Sequence, residues 1–240
     1  SHRLFGTIVG LATLIQLVWI LRRGSLSAKI WSASLFAAVC LQGLAGGTRV
    51  TQQSQVLAMV HGILAQVVFA AAIVLALLLT RFWREPEFAP YVRGDRRRRI
   101  FSTGLLHAIL FQLILGAAYR HLLHLHILWS HAAFSIVVVI FALLAAVLAA
   151  HRHKGPTRVE RMLPPYGWTV VSLAVVQFLL GWAAFWVVLA TKDAPMPTAD
   201  ELGRTPTAEV WPSLIRTAHH ANGAALLAAA TFGAIAVKRL

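Results

Sequence analysis

Seven long apolar runs, separated by short basic or polar gaps, constrain this chain more than any other feature. They cover about Leu4–Leu21, Ile30–Val50, Leu57–Leu79, Ser102–Tyr119, Ile127–Ala150, Trp168–Ala190 and Ile215–Val237. At about 1.5 Å rise per residue, each is long enough to cross the roughly 30 Å hydrocarbon layer of a bilayer as a helix. Backbone groups inside a bilayer must find partners within their own segment, which favours helices over loops and open strands. Composition points the same way. The chain is 58% hydrophobic and 12% charged, where an ordinary soluble domain carries about 25% charge. The predicted fold class is all-α: a polytopic membrane protein with seven transmembrane helices.

A net charge of +14 is compatible with nucleic-acid binding in a soluble protein, but here the cations sit in the gaps between spans. Arg22, Arg23 and Lys29, the group Arg81 to Arg99, the group Arg152 to Arg161, and Lys238 with Arg239 fall on one side and hold 16 of the 22 basic residues. Loops rich in Lys and Arg stay cytoplasmic. No nucleic-acid partner is expected, and the lipid bilayer is the first partner. Cys40 is the single cysteine, so no internal disulfide can form. The first run lacks a charged leader region and a cleavage site and is read as a span rather than a signal peptide.

A weak internal repeat runs through the spans. Gln42 to Gly46, Gln112 to Gly116 and Gln177 to Gly181 share the pattern Gln-x-x-x-Gly in mid-span, each in a helix running outward before one with an outer histidine. Ser1-His2-Arg3-Leu4-Phe5 matches Ser130-His131-Ala132-Ala133-Phe134. Aligning His2 with His131, His61 with His219 and Gln42 with Gln177 divides the chain into three parts. These are an N-terminal bundle at 1–80, a basic cytoplasmic linker at 81–100 with Pro86, Pro90 and Gly94, and a C-terminal four-helix bundle at 101–240. Such symmetry marks membrane proteins built by duplication. The first bundle then lacks its first helix, the counterpart of Ser102–Tyr119, which is expected upstream of Ser1. The glutamines are expected to hydrogen-bond neighbouring helices, and the glycines to let helices approach closely.

His2, His61, His131 and His219 lie near the same, outer ends of their spans. One such histidine is ordinarily structural. Four at matching positions in a duplicated bundle predict two haem sites, His2 with His61 and His131 with His219, because facing helices can each offer one imidazole to an iron. Two axial imidazoles favour electron transfer over oxygen binding. Haem propionates need cations near the head groups. Arg3, Arg49, Arg120 and Arg216 lie on that side, and each could equally be a snorkelling anchor. His220 could replace His219. His121, His124 and His126 could bind a metal or be solvated loop residues, and His107, deeper in its span, is expected to bond another helix. A transporter with ion-binding histidines is a competing reading, though ionisable groups would then lie nearer the midplane.

The chain resembles the haem A synthase family of cytochrome oxidase assembly proteins. The resemblance rests on Ser1-His2-Arg3-Leu4-Phe5-Gly6, Leu41-Gln42-Gly43-Leu44-Ala45-Gly46-Gly47, Val60-His61-Gly62, His131 and Arg216-Thr217-Ala218-His219. It implies a duplicated pair of four-helix bundles in the bacterial plasma membrane or mitochondrial inner membrane. It implies oxidation of a methyl group of haem O to the formyl group of haem A, for cytochrome c oxidase assembly. On that resemblance His2 and His61, with Arg3 and Arg49, would hold the substrate haem O. His131 and His219, with Arg120 and Arg216, would hold a haem b cofactor. The family's catalytic glutamate would precede Ser1, and its outer-loop cysteines have no match here. A haem O supplier, an electron donor protein and a homo-oligomer are the implied partners. The alternative is a non-catalytic di-haem cytochrome.

Overall fold

The computed structural model describes residues 2–84, 96–150, 158–191 and 210–237; the side chains at 2, 158–163 and 191 lie outside that description. Within it the chain forms helices α1 (His2–Arg23), α2 (Leu26–Thr51), α3 (Gln55–Leu78), the short α4 (Arg81–Arg84), α5 (Arg96–Leu122), α6 (Leu125–Ala150), α7 (Arg158–Thr191) and α8 (Val210–Ala236). No strand occurs among the described residues.

Local chemistry sets the helix ends. Ser25 Oγ accepts from the Ala28 amide at the start of α2, and Ser54 Oγ accepts from the Leu57 amide at the start of α3. Each serine satisfies a donor that the first helical turn leaves free. A Cβ on Gly24 would stand 2.7 Å from the Ile20 carbonyl oxygen, so only glycine fits the turn between α1 and α2. The α2–α3 and α5–α6 turns each pass through one left-handed residue that is not glycine, Gln53 at φ 49° and Leu123 at φ 57°.

Two packing groups follow. In the second, α5, α6, α7 and α8 pack in sequence and α8 closes back on α5. Their shared core contains Leu105, Ile109, Val138, Ala142, Val170, Leu226, Leu227 and Ala230. Alanines at the contacts let the backbones approach closely, as membrane helices require. In the first group α1 packs on α2 and α2 on α3, around Ile20, Ala28, Leu35 and Leu75. Helix α3 also lies against α5 and α8 and joins the groups. In the second group this buried cluster lies to one side of the histidine level, while Leu128 and Phe185 are buried on the other side. Cluster residues of α5 and α7 precede Gln112 and Gln177, and those of α6 and α8 follow His131 and His219.

Many large apolar side chains remain exposed, among them Phe5, Ile8, Ile15, Trp19, Leu44, Ile140, Val147, Leu179 and Trp186. Such a surface suits lipid and not water. Among the described residues six helices are long and apolar enough to cross a membrane: α1, α2, α3, α5, α6 and the Pro164–Ala190 part of α7. The chain is an integral membrane protein. The sequence count was seven. The seventh helix is there, with 27 residues in α8, but His219, His220 and Asn222 interrupt its apolar run. Boundaries also move outward: α5 begins at Arg96, not Ser102, and α7 at Arg158, not Trp168. Hydropathy marks where a helix meets lipid, whereas the hydrogen-bonded helix runs on into its polar ends. Residues 96–100 of the expected linker are accordingly helical; 85–95 lie outside the described residues.

Candidate functional site: histidines cradled by glutamine and glycine

The Gln-x-x-x-Gly pattern acquires its meaning at the histidines. On α2, Gln42 donates from Nε2 to the His61 carbonyl oxygen on α3 at 3.0 Å. On α5, Gln112 donates from Nε2 to the His131 carbonyl oxygen on α6 at 2.8 Å. Both pairs are 19 residues apart in sequence, and both hairpins turn on the left-handed residues Gln53 and Leu123. The glycine one turn after each glutamine receives the imidazole. A Cβ on Gly46 would stand 2.9 Å from His61 Cε1, and one on Gly116 would stand 2.9 Å from His131 Cε1. A third copy joins α7 to α8, where a Cβ on Gly181 would stand 3.3 Å from His219 Cε1. The expectation that the glutamines bond neighbouring helices is met for these three. The glycines do more than admit a neighbouring backbone: they make room for a ring. The sequence alignment paired Gln42 with Gln177, but the closest structural likeness is with Gln112, because α7 and α8 are not joined by a tight turn.

The clamp on His131 is reciprocal. Its Nδ1 lies 3.1 Å from the Gln112 carbonyl oxygen. A carbonyl only accepts, so Nδ1 carries the proton and the lone pair of the neutral ring sits on Nε2. His219 stands opposite, the ring centroids 6.3 Å apart and the planes at 75°. His219, not His220, is thus the histidine that faces His131. His220 instead accepts from Arg120, whose Nη1 lies 2.9 Å from its Nε2. Consecutive helical residues point about 100° apart, which places the two rings on different faces of α8.

The other expected site residues are placed as follows. His61 is half-buried in its cradle, and the side chain of His2 lies outside the described residues. Arg3 and Arg216 are exposed near the starts of α1 and α8, and Arg49 is half-buried near the end of α2. Arg49 and Arg120 both lie close enough to His121 to act on its charge. His124 and His126 stack on each other with centroids 5.4 Å apart. Among the described residues no three His, Cys, Asp or Glu side chains converge as a metal-holding group. His107 corrects an expectation: its Nδ1 donates to the Thr103 carbonyl oxygen of its own helix at 2.8 Å. A helical side chain reaches the carbonyl four residues back more readily than a neighbouring helix.

Sequence reasoning missed Asn222. It donates from Nδ2 to the Leu173 carbonyl oxygen and to Gln177 Oε1, both at 2.9 Å. The Gln177 amide nitrogen lies 3.2 Å from both ring nitrogens of His219. The available signal was a lone asparagine in an apolar run, one turn beyond a histidine. Together these groups present two facing imidazoles, each held by a glutamine and a glycine, beyond the main buried cluster of the bundle.

Comparison with known proteins agrees with the architecture. The family model described as cytochrome oxidase assembly protein matches residues 1–128, from the start of α1 into α6. A haem A synthase of Rhodopseudomonas palustris strain HaA2 is 33% identical over 129 residues, covering 49% of this chain and 33% of that protein. A haem A synthase of strain BisB5 is 35% identical over 129 residues with the same coverage. The matched stretch spans about a third of the length of these curated relatives. No solved structure matches the chain. With more than half of its residues fitting the family model and its helices bearing cradled histidines, the chain belongs to the cytochrome oxidase assembly protein family, the family of the haem A synthases.

Proposed function

We propose that the protein is a haem A synthase, which oxidises the methyl group of haem O to the formyl group of haem A. In this reading His131 and His219 would hold a haem b, and His61 with His2 would hold the substrate haem. The observation that carries it is the 6.3 Å separation of the His131 and His219 ring centroids. Two metal–nitrogen bonds of about 2 Å, plus about 1 Å from each nitrogen to its ring centre, separate two axial imidazoles by about 6 Å. The residues present therefore fit the group.

When bound, haem b would supply an electron-transfer centre. The protein's own residues do the rest. The Gln112 carbonyl holds the proton of His131 at Nδ1 and leaves the lone pair on Nε2, the usual arrangement behind a metal-binding histidine. The Gly116 and Gly181 cradles fix the depth of both rings. Gly46 and Gln42 do the same for His61, so one device would serve substrate and cofactor alike. Arg49 and Arg120 supply positive charge at the histidine end for propionates, with His220 as the present partner of Arg120. The excess of Lys and Arg at the opposite ends supports placing that end on the outer side of the membrane.

The test supplies haem O to the full-length protein in membranes, with its electron-transfer partners, and extracts the haem. Appearance of haem A, lost in His61→Ala, supports the synthase. Two stably bound haems with no haem A formed would leave a di-haem cytochrome.

A further inference from the structure

The two facing histidines are not held alike. His131 gives its Nδ1 proton to the Gln112 carbonyl, while the Gln112 amide is occupied by the His131 backbone. At His219 the glutamine amide turns to the ring itself. The Gln177 backbone also lies within reach of His219, so the rings differ chiefly in where the glutamine side chain points.

Asn222 sets that direction. The Leu173 carbonyl can only accept, so the amino side of the Asn222 amide faces α7. That amino group also meets Gln177 at Oε1, which turns the Gln177 amino group onto His219. This donor is equally distant from both ring nitrogens, at 3.2 Å, and so is committed to neither lone pair. The positions equivalent to Asn222, three residues after His61 and His131, are Leu64 and Phe134. Among these three helices, α8 alone carries the relay.

An acceptor on Nδ1–H pushes electron density toward the opposite nitrogen and strengthens it as a metal ligand. A donor against the ring draws density away. We propose that Asn222, acting through Gln177, makes His219 the weaker and displaceable axial ligand of the second-half haem, with His131 as the anchor. This rests on the haem site of the proposed function. Asn222 is then a positioning residue whose effect is electronic as well as structural.

The test uses the full chain loaded with haem b and reduced, with carbon monoxide as the probe. Carbon monoxide is expected to replace His219, giving a C–O stretching frequency that matches the complex of His219→Gly and differs from that of His131→Gly. Asn222→Leu and Gln177→Leu are each expected to slow carbon monoxide binding several-fold and to lower the midpoint potential. A parent complex that matches His131→Gly, or a parent that binds no carbon monoxide, overturns the proposal. So does an unchanged binding rate and potential in variants that retain the Soret band. Should either variant fail to fold, the frequency comparison in the parent still decides. A parent chain that takes up no haem overturns the haem site and this proposal together, whereas a normal Soret band with equal ligands overturns this proposal alone.

Discussion

At the scale of the residue, the glycines facing histidines are the positions that report on the site. The imidazole of His131 is held by the Gln112 backbone carbonyl while the Gln112 side chain holds the His131 backbone, so the ring has little freedom to withdraw from a new methyl group. Gly116→Ala is expected to cost about 1–3 kcal/mol through overpacking and to lower the haem retained on purification. Gly181→Ala, with its contact at 3.3 Å, should be milder, and Gly62→Ala, with nothing within 4 Å, should be silent. Thermal unfolding and the Soret-to-protein absorbance ratio check all three, and equal effects at Gly116 and Gly62 would refute the cradle. The need for small residues beside mid-span glutamines was legible in the sequence. The object they accommodate was not, because the glutamine and the histidine meet across a turn and 19 residues of chain. The choice between His219 and His220 was likewise hidden. It depends on the rotation of α8 about its own axis, which α5 and α7 impose.

At the scale of the element, the α2–α3 and α5–α6 hairpins are two copies of one device: a glutamine, a glycine one turn on, a left-handed residue, then a histidine. Only the side chain at the turn departs from what the backbone prefers. Leu123 is 69% exposed, so little packing is lost on its removal. A left-handed conformation costs a residue with a Cβ about 1–2 kcal/mol, partly offset by glycine's greater freedom when unfolded. Leu123→Gly is therefore expected to stabilise the protein by about 0.5–1 kcal/mol in detergent denaturation. Gln112→Leu should destabilise it by about 0.6 kcal/mol, the average for an interhelical hydrogen bond in a membrane protein. Loss of stability in Leu123→Gly would show that Leu123 makes a contact that its exposure hides. The apolar runs located every long helix but not its ends, since the basic starts of α5 and α7 are helical without being apolar. In α8 the polar groups that weaken the apolar signal are His219, His220 and Asn222, the ones with partners inside the bundle.

At the scale of the whole molecule, the seven long helices among the described residues are arranged as a closed group of four and a linear group of three, joined through α3. If haem occupies the second group, loading it should raise the thermal midpoint, because a ligand at 100 times its Kd adds about 2.7 kcal/mol. His131→Ala should abolish that gain, and a gain that survives would place the haem elsewhere. Orientation can be tested through the single native cysteine. With Cys40 replaced by alanine, Gln53→Cys is expected to react with a membrane-impermeant maleimide from outside intact cells, and Arg84→Cys only after lysis; the reverse result would invert the topology. The packed core of the second group, meanwhile, fills the half of the bundle remote from the histidines. Were a porphyrin to sit among the histidines, as proposed above, that packed half would lie beneath it and bar passage along the bundle axis to the other side of the membrane.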